Sequence, residues 1–171
     1  MRLLFKIDKL DYDDCIKECV RNSSRSIIIK DGKVAMVHSL KYDYYKFPGG
    51  GIEEWESPID ALIRETLEEA GLEIIPSSIK EYGYVFRKQK SNINPDTCFI
   101  QDNYYYLCSA YDNVSKQKLD DYESDERFTL EFVNPLDAIN TNKFVDHGPK
   151  DQLMIERDAR VLELLIKEKV I

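Results

Sequence analysis

Between Gly50 and Glu73 eight carboxylates accompany a single base, Arg64, a concentration of like charge that favours a counter-charge beside it. Three of the acids, Glu65, Glu68 and Glu69, stand at i, i+3 and i+4. A helix places residues at that spacing on one arc of about 100°, and like charges there destabilise it. Lysine, arginine or a bound cation relieves the repulsion. A hard divalent ion is the natural choice, because Mg²⁺ is held by a few carboxylates together with substrate phosphates. The alternative reading is a solvated acidic face. The segment carries −7 of the net −8 of the chain, and the remainder of the 171 residues is close to neutral.

The helix is marked at both ends. Ser57 takes the cap position and Pro58 the first helical position, and Gly71 closes it. Ile59, Leu62, Ile63, Thr66, Leu67 and Ala70 recur at helical spacing and form its inward face. Just upstream, Phe47-Pro-Gly-Gly-Gly51 predicts a sharp backbone feature. Consecutive glycines let a backbone approach a ligand or take positive φ. Glu56, at the helix entrance, is the obvious partner for Arg64.

Elsewhere, Asp31-Gly32 between the apolar runs 26–30 and 33–38 predicts a type I′ hairpin. Further strands are expected at 3–7, 72–75, 79–86, 98–110 and 127–133, the fourth broken at 101–103. Helices are expected at 11–20, 135–139 and 151–169. The stretches 23–26, 88–97 and 112–126 read as loops. This order implies one α/β domain with a mixed sheet between helices.

Gly50, Glu56, Arg64, Glu65, Glu68, Glu69, Gly71 and Leu72 together resemble the Nudix hydrolase box, Gly-x5-Glu-x7-Arg-Glu-U-x-Glu-Glu-x-Gly-U with U a bulky aliphatic. Thr66, at the first U position, is a mild departure that keeps a branched methyl. The likeness is firm over residues 50–72 and looser over 26–169. It implies an α/β/α sandwich with a mixed β-sheet between helices, with residues 26–171 as the hydrolase-like domain. Residues 1–25 would be an extension of one strand and one short helix.

The resemblance also implies an Mg²⁺- or Mn²⁺-dependent pyrophosphohydrolase that cleaves a nucleoside diphosphate linked to another group, nucleoside triphosphates included, by attack of water at phosphorus. Glu65, Glu68 and Glu69 would bind the metal with the Gly50 carbonyl, and Glu56–Arg64 would be a structural ion pair. The base would be Glu65 or Glu68, or else Glu123 or Glu126 before the last strand. A catalytically idle nucleotide-binding sensor on the same fold is the alternative. Trp55, Tyr45 and Arg87 are the candidate substrate contacts. His38 and His147 have no recognisable partner and read as structural.

The acidic balance argues against duplex nucleic acid as a partner. The longest apolar run, Tyr104 to Cys108, falls far short of the roughly 20 residues that span a bilayer. The first residues lack the apolar core of a secretory signal. Cys15, Cys19, Cys98 and Cys108 follow no metal-binding spacing, so reduced thiols and a cytoplasmic location are expected. Monomer and homodimer both remain open.

Overall fold

A computed structural model describes residues 1–171. The first half contains β1 (Leu3–Asp8), β2 (Lys17–Val20), β3 (Ser23–Lys30), β4 (Lys33–Ser39), β5 (Tyr44–Lys46), β6 (Gly49–Gly51) and α1 (Pro58–Ala70). The second half contains β7 (Leu72–Ile74), a 3₁₀ turn (Pro76–Ser78), β8 (Lys80–Lys90), β9 (Thr97–Cys108), β10 (Ala110–Val114) and α2 (Asp121–Asp125). It ends with β11 (Phe128–Val133), α3 (Pro135–Phe144) and α4 (Gln152–Lys167).

The main sheet runs β1-β8-β9-β3-β4-β11, with β2, β5 and β6 paired alongside β9, β4 and β3. It is mixed: β1 is parallel to β8 and β3 to β9, whereas β8–β9, β3–β4 and β4–β11 are antiparallel. Successive strand residues point to opposite faces, and that alternation separates two cores. Ile27, Val34, Met36 and Tyr105 pack with Val161, Leu162 and Leu165 of α4. Their neighbours Ile28, Ala35, Val37 and Tyr106 pack with Leu62 and Ala70 of α1. The result is the expected sandwich of a mixed sheet between helices.

Local signals account for several elements. Asp31 and Gly32 take φ of 52° and 71°, the pair of positive angles a type I′ turn requires. Ser57 and Asp60 form a reciprocal capping box at the start of α1, and Gly71 ends it at φ 67°.

Other expectations are corrected. Residues 11–20 do not form a helix: Lys17–Val20 is an exposed strand whose register against β9 continues into β3. Lys17 faces Thr97, Val20 faces Ile100, Ser23 faces Asn103 and Ile28 faces Cys108, a constant offset of 80 residues. Asn22 maintains it by accepting the Asp102 amide at 3.0 Å. Residues 1–25 therefore supply strands to the same sheet as the rest of the chain. Residues 23–26 are not a loop but buried strand, because every hydroxyl has a partner. Ser23 bonds Asn103 at 2.8 Å, Ser24 bonds the Pro58 carbonyl at 2.6 Å, and Ser26 accepts from Thr66 at 3.0 Å.

The break expected at 101–103 is absent for the same reason. Asn103 is buried and bonded to Ser23, Val85 and Arg157. The 88–97 loop shrinks because β8 extends to Lys90, and the 112–126 stretch contains β10 and α2. Cys98 and Cys108 are buried, but Cys19 is exposed; all four thiols are free.

Arg157 and Asp158 are adjacent on the inner side of α4, 1% and 0% exposed. Arg157 holds both Asp158 oxygens at 2.9 and 3.2 Å, and Tyr105 donates to the same carboxylate at 2.7 Å. The arginine keeps the Asp158 carboxyl below its usual titration range in spite of burial. Replacing Arg157 with Met leaves a buried charge unpaired and is expected to cost about 3–5 kcal/mol at pH 7 in urea denaturation. Wild-type stability due to Asp158 is lost as pH falls through its depressed pKa, whereas the variant is relieved as the isolated carboxyl takes up a proton. The gap between the two proteins should therefore narrow on acidification; a gap independent of pH would contradict this assignment.

Candidate functional site

The glycine run sits against β3: Gly49 faces Arg25, Gly50 faces Ser24 and Gly51 faces Ser23. Two of these glycines have close neighbours. Gly49 has φ +138°, and a Cβ there would lie 2.0 Å from the Ser24 carbonyl oxygen. A Cβ on Gly50 would lie 2.2 Å from a carboxylate oxygen of Glu65. The backbone thus cradles the Glu65 carboxylate, which projects from the second turn of α1.

Arg64 organises the acids around it. Its Nε donates to Glu56 at 3.0 Å, and Nη2 reaches both Glu56 and the Gly51 carbonyl. Nη1 donates to Glu65 Oε1 at 2.6 Å and Glu68 Oε2 at 3.1 Å. The Glu56–Arg64 pair read from the sequence is present, and the same guanidinium also grips two further glutamates. It holds the Glu56 carboxyl below the usual range. Glu65 titrates high, because burial opposes its charge more strongly than Arg64 supports it.

Glu69 is handled differently. It is 2% exposed, its Oε1 pairs with Lys46 Nζ at 2.5 Å, and its Oε2 accepts from the Gly49 amide at 3.0 Å. No three acidic, histidine or cysteine side chains are arranged around a common metal position. Glu65 and Glu68 lean on Arg64, and Glu69 leans on Lys46.

Glu65, Glu69 and Lys46 border a cleft of about 410 Å³, and Glu68 and Arg64 line a smaller recess beside it together with Glu65, Glu69 and Glu123. Glu65, Glu69, Asp120 and Glu123 line the acidic part of the cleft, and Arg21, Arg25, Arg87 and Arg157 its basic part. Glu123 is 5% exposed; burial, then contact with Glu69, raises its titration. Arg25 is 7% exposed. It donates to the Phe47 and Gly49 carbonyls at 3.2 and 2.6 Å, and its Nε has no partner.

The other sequence candidates fall as follows. Glu126 does not reach the cleft: it is 2% exposed and consumed by Ser39, Tyr44 and Lys150. Tyr45 also points elsewhere, stacked on His38 with ring centroids 4.2 Å apart and bonded to Glu131. Strand alternation brings Tyr44 to the cleft instead. Trp55 is 83% exposed on the loop before α1 and does not line the cleft. Arg87 does line it, held by Asp151 and Gln89. His38 has partners after all, Glu131 at 2.8 Å and Asp43 at 2.9 Å. His147 is fully buried against the Tyr42 and Asn142 carbonyls.

Arg25, Lys46 and Asp120 were not singled out from the sequence. A signal existed for Arg25, a charged residue in the serine-rich entry to an apolar strand, and for Lys46, directly before Phe47-Pro-Gly.

Comparison with known proteins gives a consistent answer. A family model described as NUDIX domain matches residues 20–154. A protein of Hydrogenovibrio crunogenus named RNA pyrophosphohydrolase is 31% identical over 108 residues, covering 58% of this chain and 64% of that protein. One from Xylella fastidiosa with the same name is 29% identical over 108 residues, covering 58% and 56%. The matched segment thus spans less than two thirds of either relative. Among solved structures, a MutT NUDIX hydrolase from Burkholderia pseudomallei superposes with TM-score 0.57 at 17% identity, covering 85% of this chain and 97% of that one. A NUDIX hydrolase from Nitrosomonas europaea gives 0.56 at 18% identity, covering 87% and 91%. These two likenesses concern the fold.

The glycines make a graded prediction. Gly49→Ala forces a Cβ into backbone at positive φ and should cost about 3 kcal/mol or more in urea denaturation. Gly50→Ala meets only the end of a flexible side chain and should cost about 1 kcal/mol, while displacing Glu65. Equal losses of stability would show that the close approach at Gly49 is not what demands glycine.

Proposed function

The chain belongs to the NUDIX family, and on that premise we propose that it is a metal-dependent pyrophosphohydrolase acting on a small nucleotide with a diphosphate linkage. The observation that carries the reading is the Glu65 carboxylate, half-buried against the Gly50 backbone and with one oxygen not bonded by Arg64. Glu68 likewise keeps Oε1 free of Arg64. Two carboxylate oxygens next to a glycine backbone form an all-oxygen donor set, which fits a hard divalent ion held partly by substrate phosphates. When bound, Mg²⁺ or Mn²⁺ supplies charge neutralisation of the diphosphate and activation of water for attack at phosphorus.

The protein's own residues supply position and proton handling. Arg64 ties the loop at Glu56 and Gly51 to the helix that carries Glu65 and Glu68, so loop and ligands move as one piece. Arg25 faces the cleft with an unpartnered Nε, and Arg21 lines the same cleft with its guanidinium near Gly51. Both suit phosphate oxygens, which arginine recognises through directed N–H donors. Glu65 or Glu68 serves as base in this reading, with Glu123, which touches Glu69 in the same cleft, as the second candidate. The free thiols suit a cytoplasmic enzyme, and no helix is long and apolar enough to cross a membrane.

A pyrophosphate- and phosphate-release screen with Mg²⁺ tests the proposal. It should compare nucleoside triphosphates, nucleoside-diphosphate sugars and a 5′-triphosphorylated RNA oligonucleotide, the last because the curated relatives are named RNA pyrophosphohydrolase. At least one class should turn over, and Glu68→Gln should reduce kcat by about 10²-fold or more. Glu68 is half-exposed, so its loss should leave stability within about 0.5 kcal/mol. Metal-dependent nucleotide binding without product would replace this reading with the idle sensor.

A further inference from the structure

We propose that Lys46 is a resident cation that takes Glu69 out of the metal-ligand set, leaving Glu65 and Glu68 as the carboxylates that hold the divalent ion. The inference rests on the reading above and concerns this chain's own lysine. Both oxygens of Glu69 are already used, Oε1 by Lys46 at 2.5 Å and Oε2 by the Gly49 amide at 3.0 Å. The lysine side chain is 8% exposed and the glutamate side chain 2%. Separating such a pair strands a charge in the interior, which is strongly unfavourable. Glu65 and Glu68 are more accessible, with side chains 16% and 39% exposed, and each bonds to Arg64 through one oxygen.

Lys46 is fixed by its surroundings. It ends β5, paired across the sheet with Val37, and its ammonium lies 4.7 Å from the centre of the Phe128 ring. Glu69 is its single ion-pair partner. The chain then passes through Phe47 and Pro48 to Gly49, whose amide reaches the second Glu69 oxygen. Lys46, Glu69 and the glycine run are therefore tied to one another, with the Glu123 carboxylate in contact with Glu69 from the cleft side. The Lys46–Glu69 pair itself carries no net charge, and its task is to anchor the backbone beside Glu65. One or two carboxylates plus phosphates suffice for Mg²⁺, so the site loses no necessary ligand. The consequence is a lower demand for metal ions than three free carboxylates would create.

Mn²⁺ binding, followed by electron paramagnetic resonance of the free ion, tests this without turnover. Glu65→Gln and Glu68→Gln should each weaken Mn²⁺ binding by about tenfold or more. Glu69→Gln, which keeps an acceptor for the Gly49 amide, should leave affinity and stoichiometry as in the wild type. Lys46→Met should free Glu69 and either tighten Mn²⁺ or add a second ion. The double variant Lys46→Met/Glu69→Gln should cancel that gain; it replaces the buried pair by neutral side chains, so it also serves as the folded control in thermal denaturation.

If Glu69→Gln weakens Mn²⁺ binding in the presence of Lys46 as much as Glu65→Gln does, the proposal fails while the hydrolase reading stands. If Lys46→Met changes neither affinity nor stoichiometry, it fails in the same way. If neither the wild type nor Lys46→Met binds Mn²⁺, the metal-dependent reading falls and the proposal with it.

Discussion

One guanidinium holds the site together. Arg64 reaches the entry loop through Glu56 and Gly51 and its own helix face through Glu65 and Glu68. Without it, the Glu56, Glu65 and Glu68 carboxylates and a carbonyl dipole would crowd together with only the more distant Arg25 acting on Glu65. A side chain that can hold several acceptors at fixed angles is needed there, and lysine, a point charge on a flexible stem, does not offer that geometry. The glycine run can then lie flat against β3, and Glu65 can lie flat against the glycine run.

The legible parts of the fold were those whose chemistry is local. The α1 caps, the Asp31-Gly32 turn and the Glu56–Arg64 pair each involve residues close in sequence, and the structure contains all three. The unreadable parts depend on partners far along the chain. A run such as Ser23-Ser-Arg-Ser26 carries the composition of a loop and becomes buried strand only because Asn103 and the Pro58 carbonyl accept from Ser23 and Ser24 and Thr66 donates to Ser26. Asp11 to Val20 shows helical spacing of apolar residues, yet Ile16 is 81% and Val20 63% exposed. No apolar surface awaits that face, while the edge beside Thr97–Ile100 needs a strand.

The candidate site divides along the same line. The acidic residues of the helix were found because they fall at fixed helical spacing. The choice between Tyr44 and Tyr45, and the dismissal of Glu126, required knowing which strand face looks into the cleft. Glu126 and Glu123 lie three residues apart, at opposite ends of a short helical turn. One is absorbed by Ser39, Tyr44 and Lys150, and the other lines the cleft with its titration raised.

Thr66 shows how a local departure is absorbed. A threonine on the buried face of α1 brings a hydroxyl into a place where an aliphatic side chain needs no partner, and an unpaired buried hydroxyl is unfavourable. Here its partner is Ser26 at 3.0 Å, a residue of the serine-rich entry to β3. That entry also supplies Ser24 to the Pro58 carbonyl at the first turn of the same helix. Two hydroxyl contacts thus fasten α1 to β3 on one side, while β6 pairs with β3 beside them and brings Gly50 to Glu65. The polar residues that obscured β3 in the sequence are the ones that align helix, strand and glycine run, so the features hardest to read locally are those that set the geometry of the carboxylates.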